Sequence, residues 1–116
     1  MVARNQLRHV DIDSAALIPE MTERIVRAFD PVKIILFGSR ARGTASTDSD
    51  LDLLVVLDDP LPNKREATIA ILRALRGLIV SVDIVVTTPR DIERRGDVIG
   101  SVLRPALREG TLLYAR

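Results

Sequence analysis

Residues 37–57 read FGSRARGTASTDSDLDLLVVL. A segment of small residues precedes aspartates at alternate positions, and these lead directly into one of the most apolar parts of the chain. Side chains alternate between the faces of a β-strand, so Asp50 and Asp52 would share one face, with Cα atoms about 6.6 Å apart. The opposite face would point into the core; its residues are Leu51, Leu53, Val55 and Leu57. This stretch therefore predicts a buried strand that begins with a pair of carboxylates.

The segments around this stretch alternate between strand and helix patterns. Strands are predicted at 32–37, 51–57 and 80–88, with a short closing strand at 111–115. Helices are predicted at 19–29, 64–78, 89–94 and 97–109, and Gly110 is the expected stop. In the helix at 64–78 we expect a core-facing stripe of Ala67, Ile71, Leu72, Leu75 and Leu78. Strands that alternate with helices indicate an α/β layered domain.

Composition excludes several classes of protein and site. The chain has 116 residues, which predicts one domain over 1–116 with an N-terminal arm at 1–17. Its net charge of +1 gives no strong signal for nucleic-acid binding. Without cysteine, and with His9 as the only histidine, disulfides and thiolate or histidine-rich metal sites are excluded. No apolar run is long enough for a membrane span, so we expect a cytoplasmic protein.

Asp83 is a carboxylate within the otherwise apolar run VSVDIVV, which is typical of a central strand. A buried carboxylate without a partner costs several kcal/mol, so burial would require a cation or hydrogen-bond donors. If this strand lies beside 51–57, Asp83 would face Asp50 and Asp52. Three carboxylates from two adjacent strands would then form an oxygen-only site suited to Mg²⁺.

Simpler interpretations of these aspartates stay open. Asp50 and Asp52 could be solvated residues at the start of a strand, and Asp83 could be an edge-strand residue that faces water. An EF-hand loop that starts at Asp48 is excluded, because its sixth position would be Leu53 where glycine is required.

The Gly38-Ser39 turn directly follows the strand at 32–37. Glycine allows close backbone approach, and backbone N–H groups at the start of a helix would favour an anion such as phosphate. Arg40 and Arg42 could add positive charge, or could be ordinary surface arginines. A phosphate-binding turn together with carboxylates on two later strands is the apparatus of metal-dependent phosphoryl or nucleotidyl transfer.

These residues resemble the nucleotidyltransferase superfamily related to DNA polymerase β. Its pattern of Gly-Ser-x-Ala-Arg-Gly, five residues, then Ser-Asp-x-Asp-Leu is matched at 38–53, which includes Ser49. The third carboxylate of the family matches Asp83. The size of the chain and the segments FDPVKIILFGSRARG and VDIVVTTP look like the minimal nucleotidyltransferases, and the resemblance covers about 20–115.

The resemblance implies a short mixed β-sheet flanked by helices, and ATP as donor with two Mg²⁺ ions. Asp50 and Asp52 would be metal ligands, with Asp83 as third ligand or base. Gly38 and Ser39 would contact the triphosphate, and the nucleotide-binding set would also include Arg40, Arg42 and Ser49.

Minimal members of this group are commonly paired with a small helical HEPN-type toxin, which they neutralise as antitoxins by adenylylation. The resemblance therefore implies a protein acceptor and a possible hetero-oligomer. Two alternatives are a small-molecule nucleotidyltransferase of the aminoglycoside-modifying kind and an antitoxin that acts by binding alone.

Overall fold

A computed structural model describes residues 14–38, 51–96 and 103–116. A 3-10 turn at Ser14–Leu17 leads into helix α1, Ile18–Phe29. The remaining helices are α2, Lys64–Ala74; α3, Pro89–Arg95; and α4, Leu103–Glu109. The strands are β1, Lys33–Phe37; β2, Leu51–Val56; β3, Val82–Thr87; and β4, Thr111–Ala115. Each predicted strand is present within two residues of its expected limits.

The four strands form one mixed sheet in the order β3-β2-β1-β4. Strand β1 pairs antiparallel with β2 on one side and with β4 on the other, whereas β2 and β3 run parallel. Helix α2 provides the connection that a parallel pair requires. The predicted α/β class, with a short mixed sheet flanked by helices, is confirmed.

Both faces of the sheet are covered. On one face, Leu51, Leu53 and Val55 pack with Met21 and Ile25 of α1 and with α2. The other face of the sheet packs on Leu103 and Ala106 of α4. The sheet residues in this contact are Ile35, Phe37, Leu54 and Val56. The predicted core face of β2 is therefore confirmed, and residues on the aspartate face are buried as well.

Local sequence signals account for the helix starts. The Thr88 side chain accepts a hydrogen bond from the Asp91 backbone N–H at 3.2 Å, and Pro89 follows at the first helical position. Asn63 caps α2 in the same way, with the Glu66 N–H at 3.0 Å. These caps satisfy N–H groups that the helix itself cannot pair.

The predicted apolar stripe of α2 is wrong at one position. Ile71 and Leu75 are buried, but Leu72 is 42% exposed. Successive helical residues are about 100° apart, so Leu72 lies well to the side of the core contact made by Ile71. The buried stripe is narrower than the run of apolar residues suggests.

Candidate active site

The candidate site lies at the end of the sheet where β1 finishes and where β2 and β3 begin. Gly38 directly follows β1, Asp52 is the second residue of β2, and Asp83 is the second residue of β3. Phe37 at the end of β1 pairs with Asp52, and Asp52 pairs with Asp83. The sheet thus sets these residues side by side across three adjacent strands.

Asp52 and Asp83 are register partners in the parallel pair. Partners in register project to the same face of a sheet, and neighbouring strands lie about 4.8 Å apart. Asp52 is half-buried between β1 and β3, whereas Asp83 is exposed. No described residue forms an ion pair or hydrogen bond with the Asp83 side chain. Two carboxylates therefore converge on one face, and one of them is open to solvent.

Because Gly38 has no side chain, the Asp52 carboxylate can lie directly against its backbone. Its φ of +79° lies in the left-handed region that favours glycine. A Cβ atom at this position would overlap Asp52 Oδ2 and lie 3.2 Å from Asp52 Cγ. The sequence predicted close backbone approach at Gly38 toward a phosphate. The contact with Asp52 was not predicted, because it depends on the pairing of β1 with β2.

The structure brings together some of the predicted site residues. Asp83 lies on the strand beside β2 and pairs with Asp52, as predicted. Five others lie outside the described residues: Ser39, Arg40, Arg42, Ser49 and Asp50. Within 14–38, 51–96 and 103–116 there is no cluster of three metal-ligating side chains.

The interpretation of Asp83 as a buried residue in a central strand is wrong. Strand β3 lies at one end of the strand order, and Asp83 is exposed there. The edge-strand alternative is the one that the structure shows. Burial therefore does not force Asp83 to have a partner, and its place beside Asp52 is what marks it as a candidate site residue.

The donor set fits a hard divalent cation. Carboxylate oxygens are the ligands that Mg²⁺ prefers, and two of them meet here at a partly open edge. Gly38 has no side chain and so leaves room for the Asp52 carboxylate. Asp52 and Asp83 are thus the described residues that could hold Mg²⁺.

Other carboxylates have partners at the opposite end of the sheet. Asp58 accepts two hydrogen bonds from the Arg116 guanidinium, at 2.7 and 2.9 Å, and these lower the pKa of Asp58. Loss of solvent contact would raise the pKa of Asp59. Hydrogen bonds from the Arg90 backbone N–H and the Thr88 hydroxyl outweigh that effect and lower it. These groups stabilise loops and the start of α3, away from Asp52 and Asp83.

The sequence model of the nucleotidyltransferase domain matches residues 18–109, most of the chain. The chain belongs to the nucleotidyltransferase domain family. The match contains Gly38, Asp52 and Asp83, so the paired carboxylates lie within the part of the chain that the family model covers. Among curated proteins, none matches the sequence significantly.

Several solved structures have a similar fold. A Sulfolobus solfataricus protein inferred to be a nucleotidyltransferase is 25% identical, with a TM-score of 0.64, over 89% of this chain and 81% of its own. A toxin-antitoxin structure with AMP-PNP is also 25% identical, with a TM-score of 0.51, over 84% of this chain and 73% of that one.

A third structure shows the same fold within a longer protein. The Elizabethkingia meningoseptica cyclic dinucleotide synthase CdnE, solved with GTP and Apcpp, is 21% identical with a TM-score of 0.52. The match covers 67% of this chain and 38% of CdnE. The nucleotidyltransferase domain described here therefore corresponds to a minor part of that enzyme.

No helix within the described ranges is long and apolar enough to cross a membrane.

Proposed function

We propose that this nucleotidyltransferase transfers AMP from ATP to a hydroxyl group of a partner protein. The observation that carries the proposal is the register of Asp52 with Asp83, together with the close contact of the Asp52 carboxylate with Gly38. Membership in the family supports nucleotidyl transfer, and the toxin-antitoxin neighbour with AMP-PNP supports an adenine nucleotide and a protein partner. The partner would be a HEPN-type toxin, with this chain as its antitoxin.

In the proposed reaction, the acceptor hydroxyl oxygen attacks the α-phosphorus of ATP. The bond between that phosphorus and the bridging oxygen breaks, and pyrophosphate leaves with the electron pair. Asp50, Asp52 and Asp83 would hold Mg²⁺, which would supply Lewis-acid stabilisation of the attacking hydroxyl and of the departing pyrophosphate. Gly38, Ser39, Arg40, Arg42 and Ser49 would bind the triphosphate.

Asp52 and Asp83 would have different tasks within this reaction. Asp52 is half-buried against Gly38, so its position is fixed from the side of β1. Asp83 is exposed at the outer strand, where an acceptor can approach without passing another strand of the described sheet. We infer that the donor lies toward Gly38 and that the acceptor hydroxyl enters beside Asp83, which can take its proton.

Incubation of the full chain with Mg-ATP and its co-encoded partner tests the proposal. We expect intact mass spectrometry to show one or more AMP units on the partner. Asp52→Asn and Asp83→Asn should each reduce this transfer by at least a hundredfold while the fold is retained. If the wild-type chain adds no AMP to the partner, transfer to that protein is refuted.

The same variants distinguish the two alternatives. An Asp52→Ala chain that still protects cells from the partner would indicate an antitoxin that acts by binding alone. Transfer of AMP to an aminoglycoside, with none to the partner, would indicate a small-molecule enzyme.

A further inference from the structure

Helix α2 exposes an apolar pair between two arginines. Ile69 is 40% exposed and Leu72 is 42% exposed, and Arg65 and Arg76 are exposed as well. These four residues, the α2 stripe, follow the spacing i, i+4, i+7 and i+11, which places them along one side of the helix and its closing turn. The buried residues Ile71 and Leu75 face the core instead.

Exposed apolar residues concentrate in this segment. Single exposed leucines are ordinary, but three of the four large exposed hydrophobic residues in the described chain lie within 69–79: Ile69, Leu72 and Ile79. Neither Arg65 nor Arg76 forms an ion pair with a described carboxylate. The stripe therefore offers apolar surface together with two arginines that pair with no described carboxylate.

The end of α2 is held in place by α1. The Arg24 guanidinium donates hydrogen bonds to the carbonyl oxygens of Ala74, at 3.3 Å, and Arg76, at 2.9 Å. A side chain that satisfies the last carbonyls of a helix restricts fraying of its final turn. A surface that is already ordered loses less conformational entropy on binding.

The segment after the stripe leads directly to the candidate active site. Beyond Ile79, the Ser81 carbonyl accepts a hydrogen bond from the Leu51 N–H at 2.9 Å, and Asp83 then pairs with Asp52. Four residues of extended chain span at most about 14 Å, so the Cα of Ile79 lies within that distance of the Cα of Asp83. Helix α2 packs on the face of the sheet opposite the Asp83 side chain, so a protein bound at the Arg76 end of the stripe would reach Asp83 around the exposed edge of β3.

We propose that the α2 stripe is the docking surface for the protein acceptor, and that it binds an acidic amphipathic helix. Leucine or isoleucine side chains of that helix cover Ile69 and Leu72, and carboxylates pair with Arg65 and Arg76. A second copy of this chain fits poorly, because its own stripe would place arginine against arginine. This inference rests on the proposed transfer to a protein and adds the site of recognition.

A synthetic peptide tests docking separately from chemistry. The probe is a helical peptide with leucines at i, i+4 and i+7 between glutamates, followed by a flexible linker and a tyrosine. Fluorescence anisotropy measures its binding to the full chain. We expect affinity at least tenfold higher than for a matched lysine peptide, and higher than for poly-glutamate, which lacks the leucines.

Charge reversal gives the decisive control. Arg65→Glu together with Arg76→Glu should reverse the preference, so that the lysine peptide binds more tightly. Ile69→Ser together with Leu72→Ser should weaken binding of the glutamate peptide at least tenfold. Arg27→Glu changes an exposed arginine on α1 and should have little effect. If the stripe variants bind the glutamate peptide like wild type, the docking proposal is overturned.

The tyrosine on the probe separates this proposal from the proposed function. AMP transfer to the tethered tyrosine, lost when the stripe is changed but retained in Arg27→Glu, supports both proposals. Stripe-dependent binding with no AMP transfer supports the docking surface and counts against transfer to tyrosine. If poly-glutamate binds as tightly as the leucine-glutamate peptide, the stripe is a general polyanion site. If the wild-type chain is a dimer that Ile69→Ser with Leu72→Ser dissociates, the stripe mediates self-association. Either result overturns the acidic-helix partner.

Discussion

Replacement of Gly38 by alanine tests the link between the turn after β1 and the carboxylate of β2. Gly38 has a φ of +79°, and a left-handed backbone costs an L-residue about 1–2 kcal/mol. Unfolding entropy scales with chain length, and for 116 residues it is about 240 cal/mol/K. Gly38→Ala should therefore lower the melting temperature by about 4–8 °C.

The alanine should also displace a site residue. Its Cβ would overlap Asp52 Oδ2, so that oxygen must move by about 1 Å to restore normal contact. A displacement of that size in a catalytic group can cost about a hundredfold in rate. We expect such a loss in Mg-ATP-dependent AMP transfer to the partner. We also expect Mg-ATP to raise the melting temperature of Gly38→Ala by less than it raises that of the wild-type chain.

Gly77 provides the matched control. Its φ is +97°, but among the described residues no atom beyond its chain neighbours lies within 4 Å of the position that a Cβ would take. Gly77→Ala should thus lose stability through the same backbone strain and keep the wild-type response to Mg-ATP. If both alanine variants lose activity equally, or if Gly38→Ala retains full activity, the proposed role of the Gly38–Asp52 contact is refuted.

Two further predictions concern carboxylates at opposite ends of the sheet. Asp83→Asn should melt about 3 °C higher than wild type in EDTA, because two charges about 5 Å apart repel by about 0.8 kcal/mol in water. Added Mg²⁺ should raise the melting temperature of wild type more than that of the variant, and a variant that melts lower than wild type in EDTA would contradict the carboxylate pair. Asp58→Asn should lower the melting temperature at neutral pH, because Arg116 holds the pKa of Asp58 below its ordinary 3.8. That stabilisation is complete above the unfolded pKa and is lost as pH falls through the folded pKa. Thermal melts from pH 7 to pH 3 should therefore show the difference between the two chains shrinking below about pH 4, and a constant difference would count against this ion pair.

Local patterns predict most of the secondary structure. The start of α3 follows from Thr88 and Pro89, and the end of α4 follows from Gly110, because caps and stops depend on neighbouring residues only. The strand that contains Asp52 is equally clear, since it is apolar and bounded by polar residues.

Tertiary pairing is what the local pattern does not specify. Strand β3 is an edge strand, yet its sequence is nearly as apolar as that of β2, because both faces of β3 pack on other elements. The apolar run around Asp83 thus suggested a central strand. The periodicity of α2 predicts Leu72 in the core for a related reason, because it gives the direction of the buried stripe but not its width.

The register of β2 with β3 has a consequence for insertions and deletions. Side chains alternate along a strand, so a shift of β3 by one residue would turn Asp83 to the face that packs on α1 and α2. Asp52 would then have an apolar neighbour, Val82 or Ile84, although every carboxylate of the motif would still be encoded. Natural variants should therefore vary in length between α2 and β3, but not within β3.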